Sequence, residues 1–133
     1  MSVKVWLGKM LAVILVSISC IVMHQSSSAQ SAPYVRIANI VVDSAQLDAY
    51  KAALKEGVET AVKVEPGVLS LYAVYDINNP THVTVFEVYA DKHAYELHTQ
   101  TLHFKKYKAI SQSMVKSLVL TDVTPVVLAA KPK

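Results

Sequence analysis

The chain has 133 residues, a formal net charge of +3 and one cysteine. That length holds a single small domain, and one cysteine excludes an internal disulfide framework or a cysteine-based metal site. Two of the basic residues, Lys4 and Lys9, belong to an N-terminal segment; without them the balance falls to +1, too little to imply a nucleic-acid partner.

Those two lysines precede an apolar run from Leu11 to Met23, thirteen residues long, where a helix spanning a bilayer needs about 20. A charged start, a short apolar centre and the small-residue exit "QSSSAQ" describe a secretory signal peptide. Ser27 and Ala29 stand at the −3 and −1 positions of a cut after Ala29. The expected organisation is a signal peptide at 1–29 and one domain at 30–133, periplasmic or secreted, with no membrane contact after cleavage. Cys20 has a poor lipobox before it, and it leaves with Trp6, so the exported domain has neither residue.

The first element, "YVRIANIVV" (Tyr34 to Val42), is rich in β-branched residues and predicts a strand. Asp43 and Ser44 offer an N-cap. Leu47, Tyr50, Leu54, Val58 and Ala61 then recur at helical spacing through Val64, opposite Lys51, Lys55, Glu59 and Lys63. Glu65-Pro66-Gly67 ends this helix. "VLSLYAVYDI" and "THVTVFEVYA", separated by Asn78-Asn79-Pro80, predict a β-hairpin. Asp91 caps a short helix carrying Ala94, Tyr95 and His98, and a second helix is expected from Thr101 to Leu118 with Phe104, Tyr107, Ile110 and Met114 inward. "TDVTPVVLAA" predicts a last strand, placed by Pro125 at an edge or a bulge.

The order βαββαβ is the ferredoxin-like α+β arrangement, whose sheet carries helices on one face. Yet both alternating sets of the second and third strands are apolar, so both faces need cover. A second copy of the sheet is the simplest cover for the face the helices leave, which predicts a homodimer.

Glu87 falls between Val85 and Tyr89 on one strand face. It is either a rim or interface ion pair, or a carboxylate on a cavity wall whose desolvation raises its pKa. His98 near the end of the short helix and His103 at the start of the next are either packing and capping residues or chemical groups. Thr101 is a natural N-cap. The two histidines show no metal-binding spacing and no acidic cluster beside them, so no metal is expected. Scattered glycines exclude a phosphate loop, and the basic run Lys105 to Lys108 reads as a solvated helix face.

The stretch "EPGVLSLYAVYDINNPTHVTVFEVYADKHAYELHTQTLHFKKY" resembles the antibiotic biosynthesis monooxygenase (ABM) domains, closest to their quinol-monooxygenase-like and autoinducer-2-processing branches. The matching features are Glu65-Pro66-Gly67, Glu87 with Tyr89, Ala94, and His98, Thr101, His103 and Phe104 in that order. The resemblance implies a dimeric α+β barrel, with a pocket in each subunit into which Glu87 and His98 point. It also implies oxidation of a small quinol-like, phenolic or enolic molecule by O2 without metal, flavin or other cofactor. On that pattern His98 is the catalytic base and Glu87 orients it or shares its proton. Asn39, Tyr89, Thr101, His103, Phe104 and Tyr107 lie around the substrate, Thr101 and His103 mainly shaping the helix start. Haem-degrading relatives use an Asn, a Trp and a His; here Asn39 stands near the first, Tyr89 replaces the second and Lys108 the third, so haem is not expected. An acid–base isomerase of a carbonyl compound, or a non-catalytic small-molecule-binding periplasmic dimer, are the other readings.

Overall fold

The computed structural model describes residues 31–132; the expected signal peptide at 1–29 lies outside them. The elements are β1 (Tyr34–Val42), α1 (Leu47–Val64), β2 (Val68–Tyr75), β3 (His82–Tyr89), α2 (Lys92–His98), α3 (Leu102–Ser111) and β4 (Val115–Val123). The strands form one antiparallel sheet in the order β2-β3-β1-β4, which is ferredoxin-like, with the helices against one face. None of the described helices is long and apolar enough to cross a membrane.

Local chemistry sets the joints. Asp43 Oδ1 accepts the Ala45 backbone N–H at 2.9 Å and caps a short 3-10 turn that leads into α1. At the other end of α1, Pro66 disfavours helical backbone at the residue before it, and Glu65 is extended at φ −101°, ψ 111°. The chain then turns into β2 at Gly67, where an added Cβ would lie 2.5 Å from the Ala94 side chain; only glycine lets the turn and α2 come this close. In the hairpin, Asp76 Oδ1 accepts from the backbone N–H groups of Asn78 and Asn79 at 2.7 and 3.1 Å. That Asx turn ends β2 at Tyr75 rather than Ile77.

The core lies between the helices and the inner sheet face. Ala38, Ile40, Val42, Val83 and Val85 meet Tyr50 and Leu54 of α1, and a smaller cluster joins Ala61, Val68 and Tyr89. Tyr50 and Tyr107 share a 2.8 Å hydrogen bond between hydroxyls, which ties α1 to α3 without leaving a buried polar atom unpaired.

The C-terminal third departs from the sequence expectation. The helix expected to run to Leu118 stops at Ser111, and the strand expected at Thr121 to Ala130 is instead Val115–Val123. Residues 115 to 123 pair with β1 along their length, and "VKSLVLTDV" has the β-branched content and two-residue alternation that suit a ladder. Ile110, expected inward, is exposed, while Met114 packs against the core from the turn after α3. β4 is an edge strand; Pro125 comes after it, where no ladder hydrogen bond is needed.

The outer sheet face is unusual. Its central residues follow from the register as Ile37, Asn39, Tyr72, Val74, Thr84, Phe86, Val119 and Thr121, with no Asp, Glu, Lys or Arg among them. Tyr72, Val74 and Val119 are 61, 60 and 55% exposed.

Candidate active site

A cavity of about 130 Å³ lies between the inner sheet face and the helices. Apolar side chains from six elements form most of its wall, among them Leu54 and Val58 of α1, Val85 of β3, Phe104 of α3 and Leu118 and Leu120 of β4. The two β4 leucines are exposed, so the cavity opens on that side. Its polar groups are Arg36, Glu87, Tyr95, His98, Tyr107 and Lys108.

Strand alternation puts Glu87 on the inner face, directly across from Arg36 in the β1–β3 register. Tyr89, two residues on, donates its hydroxyl to Glu87 Oε2 at 2.8 Å. Burial pushes the Glu87 pKa up, against the opposing pull of the Tyr89 hydrogen bond and of His98 and Arg36. Burial and the adjoining Glu87 push the Tyr89 phenol up as well, so it is a fixed donor. The folded chain therefore keeps a proton on Glu87 at a pH where the unfolded chain has lost it. The unfolded state then binds fewer protons, and stability falls as pH rises from the ordinary glutamate range through the raised pKa. Glu87→Gln removes this dependence: in urea titrations its stability relative to wild type rises with pH above about 4.5 and then levels off. A stability difference that does not change with pH would show that Glu87 ionises as it would in water.

His98 is the last residue of α2 and is buried. Its Nδ1 lies 2.8 Å from Glu65 Oε1, and His103 Nε2 from the first turn of α3 bonds the same oxygen. A carboxylate only accepts, so these partners assign the proton to Nδ1 of His98 and to Nε2 of His103. The Glu65 contact takes Nδ1, so Nε2 is the His98 ring nitrogen without a hydrogen-bond partner among the described residues. The edge of Phe104 packs on the ring at 4.9 Å and Tyr89 lies 5.5 Å away, which fixes its orientation. Thr101 Oγ1 accepts from the Phe104 N–H at 3.3 Å as the N-cap of α3 and donates to the His98 carbonyl at 2.7 Å.

This geometry corrects several expectations. The carboxylate that orients His98 is Glu65, not Glu87, and it supplies the acidic group that the histidines were expected to lack. Asn39 is exposed on the outer sheet face, bonded to Thr84, one residue out of phase with Ala38 and Ile40 of the wall. Tyr89 stands behind Glu87, and Thr101 and His103 stand behind His98; none of the three lines the cavity, whereas Phe104 and Tyr107 do. Of the basic run, Lys105 and Lys106 are exposed, but Lys108 is half-buried on the cavity side. Arg36, Tyr95, Lys108 and Glu65 were not among the expected site residues. The signals for Arg36, Lys108 and Glu65 were a charged residue inside the apolar β1, helical phase with Phe104, and a carboxylate placed just before a proline.

Glu65 Oε1, His98 Nδ1 and His103 Nε2 lie within 4.8 Å of one another, a two-histidine, one-carboxylate set of the kind that ligates zinc or iron. In the present geometry both imidazoles aim at the one carboxylate oxygen, so the three groups satisfy each other as hydrogen-bond partners.

Comparison with known proteins agrees with this architecture. The family profile described as antibiotic biosynthesis monooxygenase matches residues 33–110. A candidate antibiotic biosynthesis monooxygenase from Bacteriodes thetaiotaomicron, solved at 1.30 Å, is 46% identical over 77% of this chain and 97% of its own, with a TM-score of 0.73. A candidate monooxygenase from Lactobacillus acidophilus is 29% identical over 71% of this chain and 45% of its own, at a TM-score of 0.69. A Nitrosomonas europaea structure, 19% identical over 71% of this chain and 90% of its own, shares the fold at a TM-score of 0.67. No curated protein matches the sequence.

Proposed function

The chain belongs to the antibiotic biosynthesis monooxygenase family and its function is monooxygenase-like, and from that premise we propose that the cavity oxidises a small quinol-like, phenolic or enolic molecule with O2 and no cofactor. The observation that carries this reading is the pairing of Glu65 with His98 Nδ1 beside an apolar cavity, which leaves Nε2 as a base. The cavity volume, about 130 Å³, suits one aromatic ring: a cavity of roughly 150 Å³ accommodates benzene.

The chemistry follows from those residues. His98 Nε2 takes the hydroxyl proton of the substrate, and the imidazolium that forms is held by Glu65. The resulting phenolate is electron-rich enough to reduce O2. With hydroquinone as the example, one oxygen atom enters a ring C–H bond, the other leaves as water, and the product is a hydroxyquinone. The quinol supplies all four electrons, so no external reductant is needed. Arg36 and Lys108 face the anions formed in these steps, in a site where low polarity strengthens each interaction. Oxygen-electrode measurements on a panel of single-ring quinols test the reading; protein that consumes no O2 with any of them would remove it.

The same proposal includes export, with the signal peptide cut after Ala29, and a homodimer closed through the outer sheet face. The uncharged face with Tyr72, Val74 and Val119 exposed supports the dimer, since an apolar patch of this kind marks an interface. Light scattering should give twice the chain mass, and a stable monomer at micromolar concentration contradicts it. Intact mass of exported protein should begin at Gln30; a form that retains Met1 contradicts cleavage.

A further inference from the structure

We propose that the substrate of this cavity is anionic: a single hydroxylated ring bearing a carboxylate, held between Lys108 and Arg36. The inference rests on the monooxygenase reading of the same site and names the substrate class within it.

Two cations reach the cavity from opposite walls. Arg36 shares the inner face of β1 with Ala38 and Ile40, and Lys108 shares the inner side of α3 with Phe104 and Tyr107. Neither position is one where a long basic side chain must lie. A half-buried lysine normally carries its ammonium out to water, as Lys105 and Lys106 do on the same helix, and Lys106 also pairs with Glu56. Among the described residues Lys108 makes no ion pair.

Arg36 has donors to spare. Its Nε lies 2.9 Å from Asp122 Oδ1, close enough for an ion pair, yet the N–H does not point at the carboxylate. The guanidinium is held flat by Tyr95, 4.5 Å from the ring centre. A planar fork fixed in this way by an aromatic face suits a carboxylate, which accepts two parallel N–H bonds. Glu87 is the one acidic side chain on the cavity wall, and its Oε2 is already engaged by the Tyr89 hydroxyl. Of the two cations on the wall Arg36 has Asp122 beside it, whereas Lys108 has no ion-pair partner among the described residues, in a space the size of one ring. A ring carboxylate gives Lys108 an ion-pair partner, which a neutral quinol does not.

The test is calorimetric binding under argon, where oxidation cannot occur, comparing 2,5-dihydroxybenzoate with 2,5-dihydroxybenzamide. The two have nearly the same shape and differ by one charge. The acid should bind about 10–100-fold tighter, the range for a hydrogen bond gained to a charged group. Lys108→Met keeps the apolar stem and should abolish most of that preference, while Lys108→Arg should retain it; a thermal melt of each variant verifies folding. Equal binding of acid and amide, tighter binding of the amide, no binding of either, or a preference untouched by Lys108→Met overturns the proposal. Its failure is separable from that of the monooxygenase reading. Tight acid binding with no O2 uptake in air leaves the anion site standing and removes the oxidation. O2 uptake on neutral quinols with no acid preference does the reverse.

Discussion

Replacing His98 by alanine should lower O2 uptake by about 10²–10⁴-fold, the usual contribution of one positioned general base. Alanine also deprives Glu65 of one of its two hydrogen bonds, so a fall in activity alone would not separate base catalysis from local unfolding. His98→Asn does so. Its amide N–H takes the place of Nδ1 and keeps Glu65 partnered, while nothing replaces the lone pair of Nε2. The asparagine variant should therefore melt close to wild type yet be as inactive as the alanine variant. An asparagine variant that keeps full turnover would show that the imidazole only packs against Phe104 and Tyr89.

Glu65 should show the second large effect, on stability and rate together. Glu65→Leu leaves the buried His98 N–H without its acceptor, which costs about 1–3 kcal/mol, while His103 Nε2 keeps Thr101 Oγ1 at 3.2 Å. Glu65→Gln is the finer probe, because its amide oxygen still accepts one bond while its NH2 opposes the second imidazole. Histidine would then lose its fixed tautomer. In a Ser–His–Asp triad the equivalent change lowers kcat by about 10⁴-fold, which sets the upper end expected here. Glu65 does not line the cavity, so kcat should fall with little change in KM. Equal losses in both, or an unchanged kcat, would mean that the carboxylate supports the fold and not the base.

The fold was largely legible because its signals are local. β-branched runs, the Asp43 and Asp91 caps and the Glu65-Pro66-Gly67 break each act within a few residues, and the structure uses all of them. The end of α3 was not legible in this way. Phe104, Tyr107, Ile110 and Met114 continue a helical period past Ser111, and only pairing with β1, some eighty residues earlier in the chain, makes residues 115 to 123 a strand. The candidate site divides along the same line. Alternation groups Glu87 with Val85 and Tyr89, and the family resemblance turns it and His98 inward, as the cavity wall shows them. Glu65 could not be joined to them, since it stands 33 positions before His98 and the whole hairpin lies between. Asn39 was misplaced by one step of strand phase, which moves a side chain to the other face of the sheet. Lys108 was read with its neighbours in a basic run, although its phase matches Phe104.

The most direct test of the account is turnover of a single-ring quinol under 18O2 by metal-depleted, colourless protein, with the product weighed by mass spectrometry. One 18O atom should appear in the hydroxyquinone for each O2 consumed, and His98→Asn should form none above the uncatalysed background. Product that takes its oxygen from water, or turnover that returns only when zinc, iron, haem or flavin is added, would contradict cofactor-free monooxygenation at His98.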